Sequence, residues 1–226
     1  MFGILRQAIS SSNFDFGVLI SYFISAAVVI FICTPVHEYA HAVTAVKLGD
    51  PTPKYSGRTT INPLAHIDWI GALLILLFGF GYARPVQVNL NNFKKPKRDM
   101  AITAIAGPLS NIIMAFIFYV INLLVIKLGG INVLNSPLNL LTSFCVFIVQ
   151  INISLAVFNL IPIPPLDGSR LLSSVLSDRN YYKLMRYERY FYLALIFLLF
   201  TGALDYPLSG IQAAIFNLFD LLTFWI

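Results

Sequence analysis

The chain has 226 residues, of which 58% are hydrophobic, 14% aromatic and only 11% charged. Soluble domains carry roughly a quarter charged residues, so a water-soluble globular enzyme is excluded and one membrane-embedded domain over residues 1–226 is expected. The net charge of +5 does not point to nucleic acid, because the basic residues sit in loops between apolar runs with no stripe of stacking aromatics among them.

From Gly17 to Val36 the chain carries no charge, and a helical pattern continues through His41 to Leu48, where Gly49 and Pro51 stop it. Pro35 frees the carbonyl of Phe31 and is expected to kink or loosen this first span. Ile67 to Tyr82 is apolar but broken by Gly71, Gly79 and Gly81, and at about 16 residues it is marginal for a hydrocarbon core of ~30 Å. Arg84 to Leu90 alternates apolar and polar residues, as an edge strand that pairs with an extended peptide does.

Ala101 to Ile126, Pro137 to Ile161 and Phe191 to Leu204 supply three further membrane helices, the last of them short. Leu208 to Ile226 places Ser209, Gln212, Asn217, Asp220 and Thr223 along one face, which suits either a span with an inward polar stripe or an interfacial helix. The expected fold class is an all-α polytopic membrane protein: a bundle of about five to six membrane helices with a short re-entrant or β-hairpin element. Cys33 and Cys145 lie inside apolar runs, so neither a disulfide framework nor a thiolate metal site is indicated.

Positive charge in short loops marks the cytoplasmic side. Here 13 of 15 basic residues fall in segments 47–66, 84–100 and 163–190, and all three share a side when residues 67–83 dip into the bilayer and return. The cluster Lys94, Lys95, Lys97 and Arg98 is expected to meet anionic lipid headgroups.

His37-Glu38-Tyr39-Ala40-His41 is an H-E-x-x-H motif on a helix, where residues four apart share a face and two imidazoles can converge on one Zn²⁺. Glu38 is placed to take a proton from a water activated by the metal, which hydrolyses a peptide bond without a covalent intermediate. Two of the three histidines and one of the two glutamates fall in this window, deep in a membrane segment where ionisable groups are costly and usually functional. Polar packing between helices is the competing account.

A hydrolytic zinc site needs a third protein ligand and an open position. Asp167 and Asp220 are the main acidic candidates, and Asp167 is preferred because it ends the proline-broken run Asn159 to Gly168, where the chain can turn an oxygen inward. An aspartate capping the following helix is the alternative. His37 and Asp167 must then share a membrane side, which also requires residues 67–83 to be re-entrant. Ten residues before Lys47, His37 is expected ~15 Å below that anchor, toward the cytoplasmic half. His66, beside Asp68, reads as an interfacial loop histidine, with a metal-ligand role as the alternative.

Together these features resemble the site-2 proteases, the intramembrane zinc metalloproteases of family M50. His37 to His41 matches their H-E-x-x-H, Asn159 to Gly168 matches their N-x-x-P-x-x-x-x-D-G, and Ala106-Gly107-Pro108-Leu109-Ser110-Asn111 is similar to the small-residue segment of their middle core helix. The size, the lack of an inserted PDZ or CBS pattern, and the stretches Gly57 to Asp68 and Gly81 to Val86 resemble the small prokaryotic members; Trp69 stands where that subgroup suggests proline. The resemblance implies cleavage of transmembrane protein or peptide substrates within a cell membrane, with His37, His41 and Asp167 holding one Zn²⁺ and Glu38 as base. It also implies that Asn159 holds substrate backbone or the oxyanion. Asn152, two turns earlier on the same helix face, points toward the same polar cavity, with interhelical hydrogen bonding as its competing role. A non-proteolytic metal-binding scaffold or transporter is the rival function, and Glu38 argues against it, since a carboxylate beside the ligands serves hydrolysis.

Overall fold

The computed structural model describes residues 16–78, 81–130 and 138–226. Gly79 and Pro137, named above as a helix breaker and a helix start, lie outside them. Helix α1, Phe16–Val28, passes through a π-helical turn, Val29–Cys33, into α2, Thr34–Lys47. In that turn the Thr34 N–H donates to the Val29 carbonyl, five residues back. Pro35 has no N–H to give to Phe31, so the ladder is already interrupted here, and the loosening expected from the sequence takes the form of a widened turn just before the H-E-x-x-H motif.

Gly49 ends this rod with φ of 113°, a left-handed conformation that favours glycine. Two single-turn helices follow, α3 (Thr52–Tyr55) and α4 (Pro63–His66), and then α5, Trp69–Phe78. With 10 residues, α5 reaches only ~15 Å, about half of a hydrocarbon core. The chain comes back beside its own start: the Arg84 N–H donates to the His66 carbonyl at 2.8 Å. Glycine allows this return, because a Cβ on Gly71 would fall on the Tyr82 carbonyl oxygen and one on Gly81 would fall on the Gly71 carbonyl oxygen.

The element is therefore re-entrant, and its returning limb is not a paired strand; residues 81–89 carry neither helix nor ladder. The alternation read in the sequence is nonetheless real. Val86 is buried, and Val88 and Leu90 pack on Ala45, Phe93 and Met100, while Gln87 and Asn89 are exposed. An extended chain puts alternate side chains on opposite sides whether or not a neighbouring strand pairs with it.

Helices α6 (Pro96–Gly129) and α7 (Leu138–Asn159) complete a set of three rods, with Phe16–Lys47, that are long and apolar enough to cross a membrane. Helices α8 (Asp167–Val175), α9 (Asp178–Arg186), α10 (Glu188–Thr201) and α11 (Asp205–Leu222) follow. At 14 residues α10 spans ~21 Å, less than a full crossing. Among the described residues the bundle thus has three helices of full spanning length, supplemented by shorter apolar helices. On α6 the residues Ile105, Leu109, Ile113, Ile117 and Ile121 face outward, while Thr103, Gly107, Asn111 and Ala115 face the bundle. That arrangement, apolar outside and small or polar inside, suits lipid rather than water.

Helix α7 is the axis of the bundle, with α1 and the π turn on one side and α6 and α11 packed around it. Polar groups tie the helices: Ser21 Oγ donates to the Leu140 carbonyl at 3.2 Å, Ser25 Oγ to the Phe144 carbonyl at 3.0 Å, and Gln212 Nε2 to Ser154 Oγ at 3.1 Å. The polar stripe of α11 does not turn inward as a unit. Leu208, Gln212 and Phe219 make its inner face, while Ser209 and Asn217 are exposed.

Gly71→Val tests the re-entrant turn. The added side chain collides with backbone rather than with a movable side chain, so a loss of about 1–3 kcal/mol or more is expected, read as a lower melting temperature in detergent.

Candidate active site

His37 and His41 stand one turn apart on α2 with their Nε2 atoms 3.1 Å from each other. Asp167, the first residue of α8, brings Oδ2 to 3.2 Å from His37 Nε2 and 3.0 Å from His41 Nε2. The residue in the capping position is Leu166, and no side chain caps the helix. The Asp167 carboxylate is turned to the imidazoles instead.

His41 Nδ1 donates to the Thr103 carbonyl at 2.7 Å, which sets the tautomer and leaves the Nε2 lone pair facing His37 and Asp167. In a neutral His41 ring so held, Nε2 is an acceptor, and it faces the Asp167 carboxylate oxygen, another acceptor, at 3.0 Å, a pairing that a cation suits better than hydrogen bonding does. Donor atoms at ~2.0–2.1 Å from a tetrahedral zinc ion stand ~3.3 Å apart, close to the separations found here. The three residues form a group able to hold a metal ion.

Backbone proximity makes the cluster possible. A Cβ on Gly107 of α6 would fall on His41 Nε2 and press on His37, so only glycine lets α6 lie against the two imidazoles. A Cβ on Gly168 would meet the carbonyl oxygens of Leu160 and Ile161, so glycine also lets α8 tuck under the end of α7. The small-residue segment of α6 and the glycine after Asp167 serve the same end from opposite sides.

Beside the cluster lies a cavity of about 460 Å³, lined by Thr34, His37, Glu38, Asn111, Asn159, Asp167 and Arg170 among apolar residues such as Leu155, Phe158 and Leu195. Glu38 Oε2 accepts from the Val86 N–H at 3.2 Å; its other oxygen has no hydrogen-bond partner among the described residues. The extended limb that supplies Val86 is itself fixed further on by Asp50, whose Oδ2 accepts from the Asn89 N–H and whose Oδ1 accepts from Asn92 Nδ2, each at 2.7 Å. Burial raises the Asp50 carboxyl, but hydrogen bonds from Asn92, Thr52 and the Asn89 backbone outweigh it and hold the group below its ordinary value.

Of the amides singled out in the sequence, Asn159 lines the cavity. Asn152 is fully buried elsewhere, its Nδ2 donating to the Ile148 carbonyl at 2.9 Å and to Cys33 Sγ at 3.4 Å. Asp220 accepts from the Tyr119 hydroxyl and is not in the cluster. His66 is buried within the protein, with Nε2 donating to the Thr60 carbonyl at 2.7 Å. Sequence reading missed Asn111, which is 2% exposed with an unpartnered Oδ1 among the described residues. Its spacing of four from Gly107 was the available signal. Arg170, three residues after Asp167, carried a comparable one.

A polytopic helical membrane protein with a buried His-Glu-x-x-His helix, an aspartate brought to it from a distant segment and a cavity alongside is of the intramembrane metallopeptidase class. The family model described as Peptidase family M50 matches residues 126–202. YwhC of Bacillus subtilis (strain 168), by name a candidate zinc metalloprotease, is 38% identical over 190 residues, which is 84% of this chain and 85% of that protein. Rip2 of Mycolicibacterium smegmatis, named likewise, is 29% identical over 175 residues, 75% of this chain and 64% of its own. No solved structure matches. The chain belongs to peptidase family M50, the site-2 protease family, and is a membrane-embedded zinc metalloendopeptidase.

Two substitutions probe the site. Gly107→Ala is expected to lose bound zinc, whereas Gly210→Ala, where a Cβ meets nothing within 4 Å, retains it; metal analysis of the purified proteins distinguishes them. Because the folded Asp50 carboxyl is depressed, its stabilisation is fully present above the ordinary value of 3.8 and is lost as pH falls through the depressed one. Asp50→Asn should therefore lower the melting temperature at neutral pH and flatten its decline as pH falls below about 4.

Proposed function

We propose that His37, His41 and Asp167 hold one zinc ion and that Glu38 is the general base for hydrolysis of peptide bonds in transmembrane substrates, near the cytoplasmic side. The observation that carries this reading is the convergence of His37 Nε2, His41 Nε2 and Asp167 Oδ2 within 3.2 Å of one another, beside a cavity that Glu38 also lines. Bound zinc supplies Lewis-acid polarisation of the scissile carbonyl and lowers the pKa of water.

The chain's own groups supply the rest. Glu38 accepts a proton from the attacking water and delivers it to the leaving amine as the C–N bond breaks. The Val86 N–H holds one carboxylate oxygen in place, so the other is oriented toward the cavity. Thr103 fixes the His41 ring through its carbonyl. Asn159, with Asn111 on the same lining, offers amide groups to substrate backbone or to the developing oxyanion. The amide of Asn152 ties α7 to the π turn and serves the site by packing. Pro85 brings the returning limb to the cavity wall, where a locally unwound substrate segment would run alongside it.

The cytoplasmic assignment rests on the positive loops, which hold 13 of the 15 basic residues. It is supported by the position of the motif at the end of the first rod that Lys47 anchors.

Purified protein and its Glu38→Gln variant should bind zinc equally. The variant should cleave single-span peptides in detergent at least about 100-fold more slowly, the order expected for loss of a general base. Equal cleavage by the two proteins would remove Glu38 from the chemistry.

A further inference from the structure

Arg170, half-buried, is the one arginine or lysine among the described residues lining the cavity, a lining it shares with His37, Asp167 and the apolar residues Leu155, Phe158 and Leu195. It follows Asp167 by three residues on α8, so the two side chains lie on neighbouring parts of one face. Its guanidinium makes no hydrogen bond and no salt bridge among the described residues. It nonetheless lies within electrostatic range of His41 on one side and Tyr181 on the other. A guanidinium keeps its charge under all ordinary conditions, and an unpaired charge beside an apolar wall is costly.

The charges of the site leave this one over. On the reading proposed above, the two positive charges of the metal are matched by the carboxylates of Asp167 and Glu38. Arg170 then has no counter-ion within the cavity among the described residues, since those two are the only acidic ones of them that line it. A neutral backbone carbonyl would satisfy its donors but not its charge, whereas a carboxylate satisfies both and fits the planar fork of a guanidinium through two parallel hydrogen bonds.

We propose that Arg170 forms an anionic subsite of the cavity and selects substrates that present a carboxylate close to the scissile bond. This inference rests on the assignment of Asp167 and Glu38 made above. The carboxylate comes from either of two sources, an Asp or Glu side chain at the margin of an apolar segment or the free C-terminus of a short membrane peptide. The apolar wall formed by Leu155, Phe158, Leu195 and Ile196 takes the rest of the segment. The substrate class is thus an apolar, membrane-inserted peptide with one negative group beside the cut.

The test separates binding from cleavage. Zinc-loaded Glu38→Gln protein in detergent is titrated with a fluorescently labelled Leu/Ala-rich single-span peptide in four forms. These carry Glu or Gln in the last helical turn, and a C-terminal acid or amide. The same titrations are run on Glu38→Gln carrying Arg170→Gln or Arg170→Lys, so that the effect of Arg170 is read at constant Glu38 background.

At least one carboxylate form should bind about tenfold more tightly than its uncharged counterpart, the order expected for a charge-assisted pair. Arg170→Gln should bring that ratio to within about twofold and Arg170→Lys should give an intermediate value, with zinc content and melting temperature unchanged. A preference confined to the Glu/Gln pair identifies an acidic side chain as the source, and one confined to the acid/amide pair identifies the chain terminus.

The proposal is overturned if no form binds, if none is preferred, if the preference survives Arg170→Gln, or if that change weakens all four forms alike. Wild-type cleavage of the same peptides, compared with Glu38→Gln, reports separately on the protease assignment. A carboxylate preference without any cleavage would leave the subsite standing and count against single-span peptides of this kind as the substrates proposed above.

Discussion

Two imidazoles from one helix and a carboxylate 126 residues further along the chain meet within 3.2 Å, and the positions of the other elements are set by that meeting. Bringing them together requires α6 to touch the rings of α2 at backbone distance, which Gly107 permits, and α8 to fold back under α7, which Gly168 permits. It also requires α2 and the break after α7 to open on the same side of the membrane. The short α5 and its return satisfy that condition, since an odd additional crossing would carry Asp167 to the opposite face.

The bilayer sets the terms on which this can be built. Polar groups inside it must find partners within the protein, and the helices present their polar and small residues to one another while isoleucines and leucines of α6 face outward. Backbone that is neither helix nor paired strand survives there only where protein covers it or where it lines a cavity. Along residues 81–89 three N–H groups find acceptors within the protein: that of Arg84 is taken by His66, that of Val86 by Glu38 and that of Asn89 by Asp50. One of these three acceptors is the carboxylate assigned to the chemistry, so the segment that escapes regular structure also orients Glu38. The widened turn before Pro35 has a related place, since it lets the helix that carries the motif leave a strict α-helical phase just before its first ligand candidate.

How much of this was legible beforehand differs from residue to residue. The pairing of His37 with His41 follows from helical periodicity alone, and the preference for Asp167 over Asp220 followed from the prolines and glycine around it. The π turn was legible only as an interruption at Pro35. In the returning limb the alternation of Val86, Val88 and Leu90 gave the side-chain direction, as it does in any extended chain, and residues 81–89 form no ladder within the chain itself; pairing with a peptide needs a second chain at hydrogen-bonding distance. The burial of His66 was not legible, because a histidine in a polar stretch reads as exposed until the chain is seen to close over it.

By itself the sequence determined what depends on local order and composition: that the chain lies in a membrane, that α2 presents two imidazoles and a carboxylate from adjacent positions, and that the helix must break before Asp167. Only the tertiary structure decided what depends on distance between remote segments. Asn159 lines the cavity and Asn152 does not, although both sit on one helix face, because α7 is covered by the π turn at Asn152 and left open at its end. Asn111 and Arg170 join the site for the same reason, since a residue's exposure to a cavity is set by what its neighbours in space leave uncovered. Periodicity fixes the side of a helix a residue occupies, and packing fixes what that side meets.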